Sequence, residues 1–326
     1  MFYCIDSRWD DPALNLAAEE YLLQRRQEDF VMFYVNVPSV IVGKHQNVFR
    51  EVNLAYAALK GIPVVRRLTG GGTVYHDAGN LNFSFILSGE KGRLVDFAKY
   101  IRPVTAFLQS LGVPAVTDER NNILIRGKKV SGNAEHIFKE RVLHHGTLLF
   151  DTVLQDLEEA LQPPDGGVSD RAIASQRSRV TNIAGHLGDP LTLQEFREQL
   201  VTFCRDYFSP CEVMHFSREE REEIAKLAEV KYAAWEWNIA YSPACILHRQ
   251  LATPEGTLSL DISVEKGRVA QIVVPQGTGE AALVAGQLQG VPFRREEVQR
   301  VLTELQQEGK LSVFSQQEWL RALFGY

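Results

Sequence analysis

Arg66 and Arg67 run directly into Leu68-Thr69-Gly70-Gly71-Gly72-Thr73-Val74-Tyr75, and His76-Asp77 follow at once. Consecutive glycines leave main-chain N–H groups open to an anionic ligand and let the backbone approach it without a Cβ in the way. The flanking arginines add fork-shaped donors suited to phosphate or carboxylate. Gly-Gly-Gly alone would serve as a flexible hairpin turn. The arginine pair on one side and His-Asp on the other favour an anion cradle instead. It is not a P-loop, because no Gly-x-x-x-x-Gly-Lys-Ser/Thr occurs. The dinucleotide fingerprint fails too, since the glycines lack its spacing and lead into a strand-like segment rather than a helix.

Lys129 is the second focus. It follows a turn carrying Gly127 and precedes Ser131-Gly132, a setting in which an ammonium can offset charge developing in acyl or phosphoryl transfer. Lys128 reads as the solvated member of the pair. His144 and His145 are neighbours on a strand-like run, so their rings point to opposite faces and do not share one metal ion. One therefore packs while the other faces a site. His76-Asp77 lacks a third ligand at metal-type spacing, so no protein-held metal is assigned. Ser88-Gly89-Glu90-Lys91 fits Ser-x-x-Lys but lies in polar turn sequence without a companion motif. Cys4, Cys204, Cys211 and Cys245 form no Cys-x-x-Cys pair, which reads as free thiols. None of them sits in the glycine loop or the Lys129 hairpin, so a thioester-forming cysteine has no evident home.

Holding these loops together requires a scaffold, and the flanking sequence supplies one. Asp11-Pro12 starts a helix over Ala13 to Gln27, with the cap residue and a first-turn proline in place. Strands are expected over Val31 to Val35, Val40 to Val42, Ile62 to Leu68, Thr73 to His76, Leu81 to Leu87 and Val142 to Phe150. Asn53 caps a short helix that Gly61 ends. Phe97 to Leu111 reads as a helix that Pro103 bends or shortens. Asn121 to Ala134 forms a hairpin around Gly127. Strands broken by helices without regular alternation indicate α+β, with a mixed or antiparallel sheet. Trp235-Glu236-Trp237-Asn238 suits packing between domains better than a ligand platform. A break near it and near Ser242-Pro243 sets a large domain over 1–242 and a small α+β domain over 243–326. The small domain carries a hairpin around Lys266-Gly267 and helices over Glu280 to Leu288, Arg295 to Glu308 and Gln316 to Phe324.

Composition narrows the class further. The 326 residues are 45% hydrophobic, ample for a core, and carry a net charge of −6. An acidic balance argues against general nucleic-acid binding. The N-terminus lacks a signal-peptide layout and no apolar run approaches membrane-spanning length, so a cytoplasmic protein that neither spans nor binds a membrane is expected.

Five ordered motifs bear a resemblance to the lipoate-protein ligase A family, lipoyltransferases included, over essentially the whole chain. They are Arg66 to Asn80, Lys129-Val130-Ser131-Gly132 with Ala134, His144 to Leu149, Arg177 to Asn182, and Trp235 to Asn238. The resemblance implies a biotin/lipoate ligase-like fold and a two-step reaction. Lipoate is activated by ATP with Mg2+ to lipoyl-AMP, and the lipoyl group then passes to a lysine of a lipoyl domain. The partners it implies are E2 subunits of 2-oxoacid dehydrogenases and glycine cleavage H protein. By the same resemblance, Lys129 binds between the lipoyl carbonyl and the α-phosphate. Arg67, His76 and His145 border the lipoyl pocket, with Tyr34 at its apolar wall. Gly70, Gly71, Gly72, Thr73, Val74, Tyr75, Asn80, Asn121 and Ala134 line the adenylate, and the C-terminal domain rotates between the steps.

One departure sets up the alternatives. Many members of the family carry Asn-Asp where this chain has Asn121-Asn122, and loss of that acid would weaken ordering of Mg2+ or nucleotide. A transferase that uses preformed lipoyl-AMP and activates poorly is therefore the second reading. A non-catalytic lipoyl-AMP-binding protein is a third, opposed by Lys129. Octanoyl transfer through a cysteine is disfavoured by the missing nucleophile.

Overall fold

The structure is a computed structural model that describes residues 1–89, 94–163, 167–253, 256–275 and 279–325. Lys91 of the Ser-x-x-Lys match lies outside the described residues. The chain divides into two compact units. The first is built from Met1–Lys44, Pro63–Glu158 and Ser175–Ala234, the second from His45–Ile62, Glu159–Ala174 and Trp235–Tyr326.

The first unit is organised on a six-stranded mixed sheet. Its spatial order is Asn133–Phe138, Arg141–Leu149, Asn80–Ser88, Asp29–Tyr34, Phe2–Asp6 and Cys211–Val213. The first three neighbouring pairs are antiparallel and the last two parallel. Alternation is muted in Asn80–Ser88 and Arg141–Leu149, because nearly every residue in them is buried. Both faces of the sheet are therefore covered. One face carries Phe83, Phe85, Phe107 and Phe196 in a continuous apolar core. Asp11 caps the Pro12–Arg25 helix by accepting from the Ala13 N–H, as its sequence position predicts. Helix Phe97–Ser110 keeps 14 residues with Pro103 buried inside it.

Two three-stranded sheets in this unit hold the chemistry-bearing segments. One has the order Val64–Arg66, Ser39–Val42, Val74–His76, so the glycine loop links its two outer strands. The other is Ala115–Thr117, Ile123–Ile125 and Lys128–Ser131. Its Arg126-Gly127 turn takes positive φ at both residues, the hairpin geometry that Gly127 signals.

The second unit has a four-stranded antiparallel sheet, Val168–Asp170, Cys245–Thr253, Gly256–Glu265 and Arg268–Val273. Helices Gly279–Leu288, Arg295–Gln307 and Gln316–Phe324 pack with it around Trp319. The break near Trp235 and Ser242-Pro243 predicts this domain over 243–326. The compact unit starts at Trp235 and draws in two earlier stretches. Val168–Asp170 supplies an edge strand, and Arg50 Nη1 reaches Asp170 Oδ1 at 2.9 Å. Trp235 packs within this unit, where a Cβ on Gly267 would come within 2.6 Å of its ring.

Candidate active site

Arg67 is the organiser of the glycine loop. Its guanidinium donates to Gly70 O at 2.6 Å, Gly72 O at 2.7 Å, Ile41 O at 3.1 Å and Thr69 Oγ1 at 2.8 Å. A fork-shaped cation is thus engaged on the protein's own carbonyls. Burial pushes Arg67 down to about 10, with Glu19 and Tyr34 opposing that shift and Arg66 adding to it. Arg66 is likewise engaged, on Gly43 O at 3.0 Å and Lys44 O at 3.2 Å.

With its carbonyls held, the loop presents its amides. The N–H groups of Gly70, Gly71 and Gly72 have no acceptor among the described residues, whereas Thr73 N–H donates to Ser175 Oγ at 3.0 Å. Gly71 has φ +81° and lies beside Ala134, whose Cβ would be 3.6 Å from a Cβ at 71. Only glycine takes that conformation without strain. Val74 and Tyr75 continue the loop as a strand, and Tyr75 is buried.

Behind the loop runs a buried polar chain. Thr69 Oγ1 lies 2.7 Å from His145 Nε2, and His145 Nδ1 lies 3.0 Å from Glu19 Oε2. The Tyr34 hydroxyl donates to Glu19 Oε1 at 2.9 Å, and Ser84 Oγ donates to the same oxygen. Tyr34 therefore brings a hydroxyl to this cluster as well as an apolar ring. Burial, then the Glu19 charge, drive its phenol well above the ordinary range.

His144, on the opposite face of the strand, packs among aromatic rings and stacks on Tyr100 at 4.9 Å between centroids. The two histidines have thus separated, His144 into the aromatic core and His145 into the polar chain between Thr69 and Glu19.

His76 and Asp77 also part company. Asp77 holds the turn that follows, accepting from Gly79 N at 2.9 Å and Val153 N at 2.8 Å. Gly79 is obligatory there, because a Cβ would lie 2.0 Å from Asp151 O. His76 faces inward, with Nδ1 2.9 Å from Asn36 Nδ2 and Nε2 buried without a partner. Asn80 is fully buried. Its Nδ2 donates to Asn82 Oδ1 at 3.0 Å, and its Oδ1 is an unpartnered acceptor.

Lys129 is pinned through its backbone. Its N–H donates to Arg179 O at 2.8 Å and its carbonyl accepts from Thr181 N at 3.0 Å. The Arg177 to Asn182 stretch is therefore a clamp on the lysine strand. The ammonium lies over Gly132, where a Cβ would come within 2.9 Å of Nζ. Burial lowers its pKa, Asp118 counters that and Arg67 adds to it. Among the described residues no carboxylate forms a salt bridge with it.

Asn121 and Asn122 belong to the turn before this hairpin. Asn121 sits at φ +61°, a region asparagine tolerates, and its carbonyl accepts from Asn133 Nδ2 at 2.8 Å. Asn122 donates its backbone N–H to Asp118 Oδ1 at 2.8 Å and its amide to Oδ2 at 2.9 Å. A carboxylate therefore stands in this turn at 118 rather than at 122. Among the described residues, no group of three His, Cys, Asp or Glu could hold a metal ion. The cysteines are free and burial raises all four thiols, Cys4 to about 12.

Glu19, Asn36, Ser175 and Asp118 escaped the sequence reading. Glu19 did leave a signal. It falls among Ala17, Ala18, Leu22 and Leu23 on the buried face of the first helix, where a carboxylate needs partners.

Residues 11–205 match the family model of the lipoyl protein ligase A/B catalytic domain. The chain is 36% identical over 309 residues to lipoate-protein ligase LplJ of Bacillus subtilis, spanning 93% of each. It is 37% identical over 301 residues to lipoate–protein ligase 1 of Staphylococcus aureus, spanning 90% of this chain and 91% of the relative. The chain belongs to the lipoyl protein ligase A/B family. Among solved structures, a Thermoplasma acidophilum protein with bound lipoic acid is similar at TM-score 0.60 and 26% identity, over 73% of this chain and 98% of that one. A lipoate-protein ligase A bound with ATP gives 0.60 and 27%, over 73% and 97%. A bipartite lipoate protein ligase of T. acidophilum, described with its E2 lipoyl domain, gives 0.60 and 27%, over 72% and 95%. No helix among the described residues is long and apolar enough to cross a membrane.

Proposed function

We propose that this chain is a lipoate–protein ligase. In the first step a carboxylate oxygen of lipoate attacks the α-phosphorus of ATP, and pyrophosphate leaves as lipoyl-AMP forms. In the second, the ε-amine of a lysine on a lipoyl domain attacks the acyl carbon. The amine loses its proton to solvent, an amide forms and AMP leaves. The relatives' names support the activity, and the ATP-bound and lipoic acid-bound neighbours support both substrates.

The observation that carries the reading is the pairing of open amides at Gly70 to Gly72 with a largely buried Lys129 that forms no salt bridge with a carboxylate among the described residues. Main-chain N–H groups suit a phosphate, and an ammonium over Gly132 suits the charge that develops between acyl carbonyl and α-phosphate. In this reading Asn80 Oδ1 accepts from the nucleotide, while Ala134 and Asn121 help to shape its seat. Arg67 acts by moulding the loop. Mg2+ bound with the nucleotide would offset charge on the leaving pyrophosphate in the first step. Asp118 is the carboxylate that this turn offers it.

A transferase limited to preformed lipoyl-AMP is the second reading, favoured by Asn122. Asp118 weighs against it, because the turn retains a carboxylate four residues earlier. Incubating the protein with lipoate, ATP, Mg2+ and an E2 lipoyl domain or glycine cleavage H protein tests the proposal. Mass spectrometry should show the acceptor gaining one lipoyl group, lost on lysine substitution of the acceptor. An unchanged acceptor mass with both substrates saturating would reject the ligase.

A further inference from the structure

The polarity of one buried hydrogen-bond chain fixes the tautomer of His76. It starts at the carbonyl of Trp9, which can only accept, so Asn15 must turn its amide nitrogen toward it, at 3.0 Å. The Asn15 Oδ1 then faces the Ser7 hydroxyl at 2.8 Å, and its Nδ2 also reaches Asn36 Oδ1 at 2.8 Å. Asn36 is thereby oriented with Nδ2 toward His76 Nδ1, at 2.9 Å. An amide nitrogen donates, so His76 Nδ1 carries a lone pair and the proton sits on Nε2. That Nε2–H is buried and has no acceptor among the described residues, and His76 itself is 3% exposed.

Asn15, Asn36 and His76 come from a helix, a loop and a strand, and all three are buried. An unpaired buried donor is costly, on the order of 1–3 kcal/mol. A fold that wires three amide and hydroxyl groups to create one has a donor positioned before any ligand arrives. Burial, then the Arg67 and His145 charges, push His76 down to about 3, which keeps the ring neutral across the physiological range.

We propose that Asn36 is a positioning residue for the acyl substrate. By holding His76 as the Nε2–H tautomer, it presents a fixed donor to an oxygen of the substrate's carboxyl group, which remains as the acyl oxygen of the adenylate. The ligand's identity rests on the ligase reading above, whereas the tautomer stands on geometry alone. An oxygen is the fitting partner because a thioether-like sulfur accepts only weakly. The His76 strand also continues straight from the glycine loop.

Long-range 1H–15N NMR of the ligand-free protein reads the His76 tautomer directly. The expected result is Nε2–H, with that proton moving downfield when lipoate or octanoate saturates the site. An Nδ1–H ring, or an Nε2–H that stays put on saturation, would overturn the proposal. Asn36→Asp adds a kinetic arm. Its carboxylate draws the proton to Nδ1 and turns Nε2 into a lone pair that repels an acyl oxygen. The KM for lipoate and for octanoate should rise together by about tenfold or more, with kcat changed by less than about threefold. A rise confined to lipoate would assign the donor to the sulfur ring and reject the acyl-oxygen contact. If Asn36→Asp fails to fold, the wild-type spectra still decide. A wild type with the Nε2–H tautomer that binds no lipoate would reject the ligase reading, and the substrate contact with it.

Discussion

Glu19 Oε2 meets His145 Nδ1 at 3.0 Å, joining the middle of the first helix to a strand 126 residues further on. The other ring nitrogen meets Thr69, and Thr69 is held by Arg67, so the glycine loop is braced from behind by a carboxylate. Glu19 accepts from three side chains, Tyr34, Ser84 and His145. Glu19→Gln replaces one oxygen by an NH2 group and sets donor against donor. The expected cost is about 2 kcal/mol of stability, read by urea unfolding, with weaker binding of a lipoyl adenylate analogue. Unchanged stability would show that the braced chain is dispensable.

Asp118→Asn should move a pH profile. Lys129 is held below the usual lysine range by burial, and Asp118 is the charge that raises it. Acting as an ammonium, Lys129 loses its effect as pH rises through its pKa. The alkaline fall in kcat/KM for lipoate activation should shift to lower pH in Asp118→Asn. An unmoved alkaline limb would mean that another group titrates there.

Glu135 and His144 form a buried pair whose polarity is also fixed. The Asn121 carbonyl takes Asn133 Nδ2, so Asn133 Oδ1 faces His144 Nε2 at 3.2 Å and receives its proton. His144 Nδ1 is then an acceptor 2.9 Å from Glu135 Oε1, which requires a protonated carboxyl. Burial, then Asp96, raise Glu135 from 4.5 to about 7, and burial drives His144 well below 6.5. A carboxyl raised on folding stabilises fully below 4.5, and that contribution is lost as pH rises through about 7. The histidine acts in the other sense, losing stability as pH falls below 6.5. Glu135→Gln keeps a donor to Nδ1 and removes the titration. Its Tm should fall less than that of the wild type between about pH 5 and about pH 8. Parallel Tm curves would contradict the neutral pair.

The parts of the site that were legible are those whose chemistry is contiguous in sequence. Arg66 to Asn80 and the Lys129 hairpin announce themselves because a loop, its glycines and its turn lie within a few residues. Asn53 with Gly61, Asp11 with Pro12 and the Arg126-Gly127 turn were legible for the same reason. Glu19, Asn36 and Asn133 were not, because each acts on a residue brought alongside only by sheet pairing or helix packing. Arg67 was legible as a cation but not as an engaged one, since its partners are carbonyls and sequence does not place those. Capping boxes at Thr192/Glu195 and Ser217/Glu220 mark helices Leu193–Tyr207 and Arg218–Leu227 in plain sequence. Discontinuity explains the second unit, whose edge strand Val168–Asp170 finds its partner Cys245–Thr253 far along the chain.

Lipoate-dependent ATP–pyrophosphate exchange on the purified protein tests the central claim most directly, with Lys129→Ala run beside it. The account predicts Mg2+-dependent exchange in the wild type. In Lys129→Ala it predicts loss of exchange, and of lipoylation from supplied lipoyl-AMP, with thermal unfolding unchanged. A wild type that transfers from lipoyl-AMP but shows no exchange would contradict the ligase and leave a transferase. Near-normal activity in Lys129→Ala would remove the lysine from the mechanism.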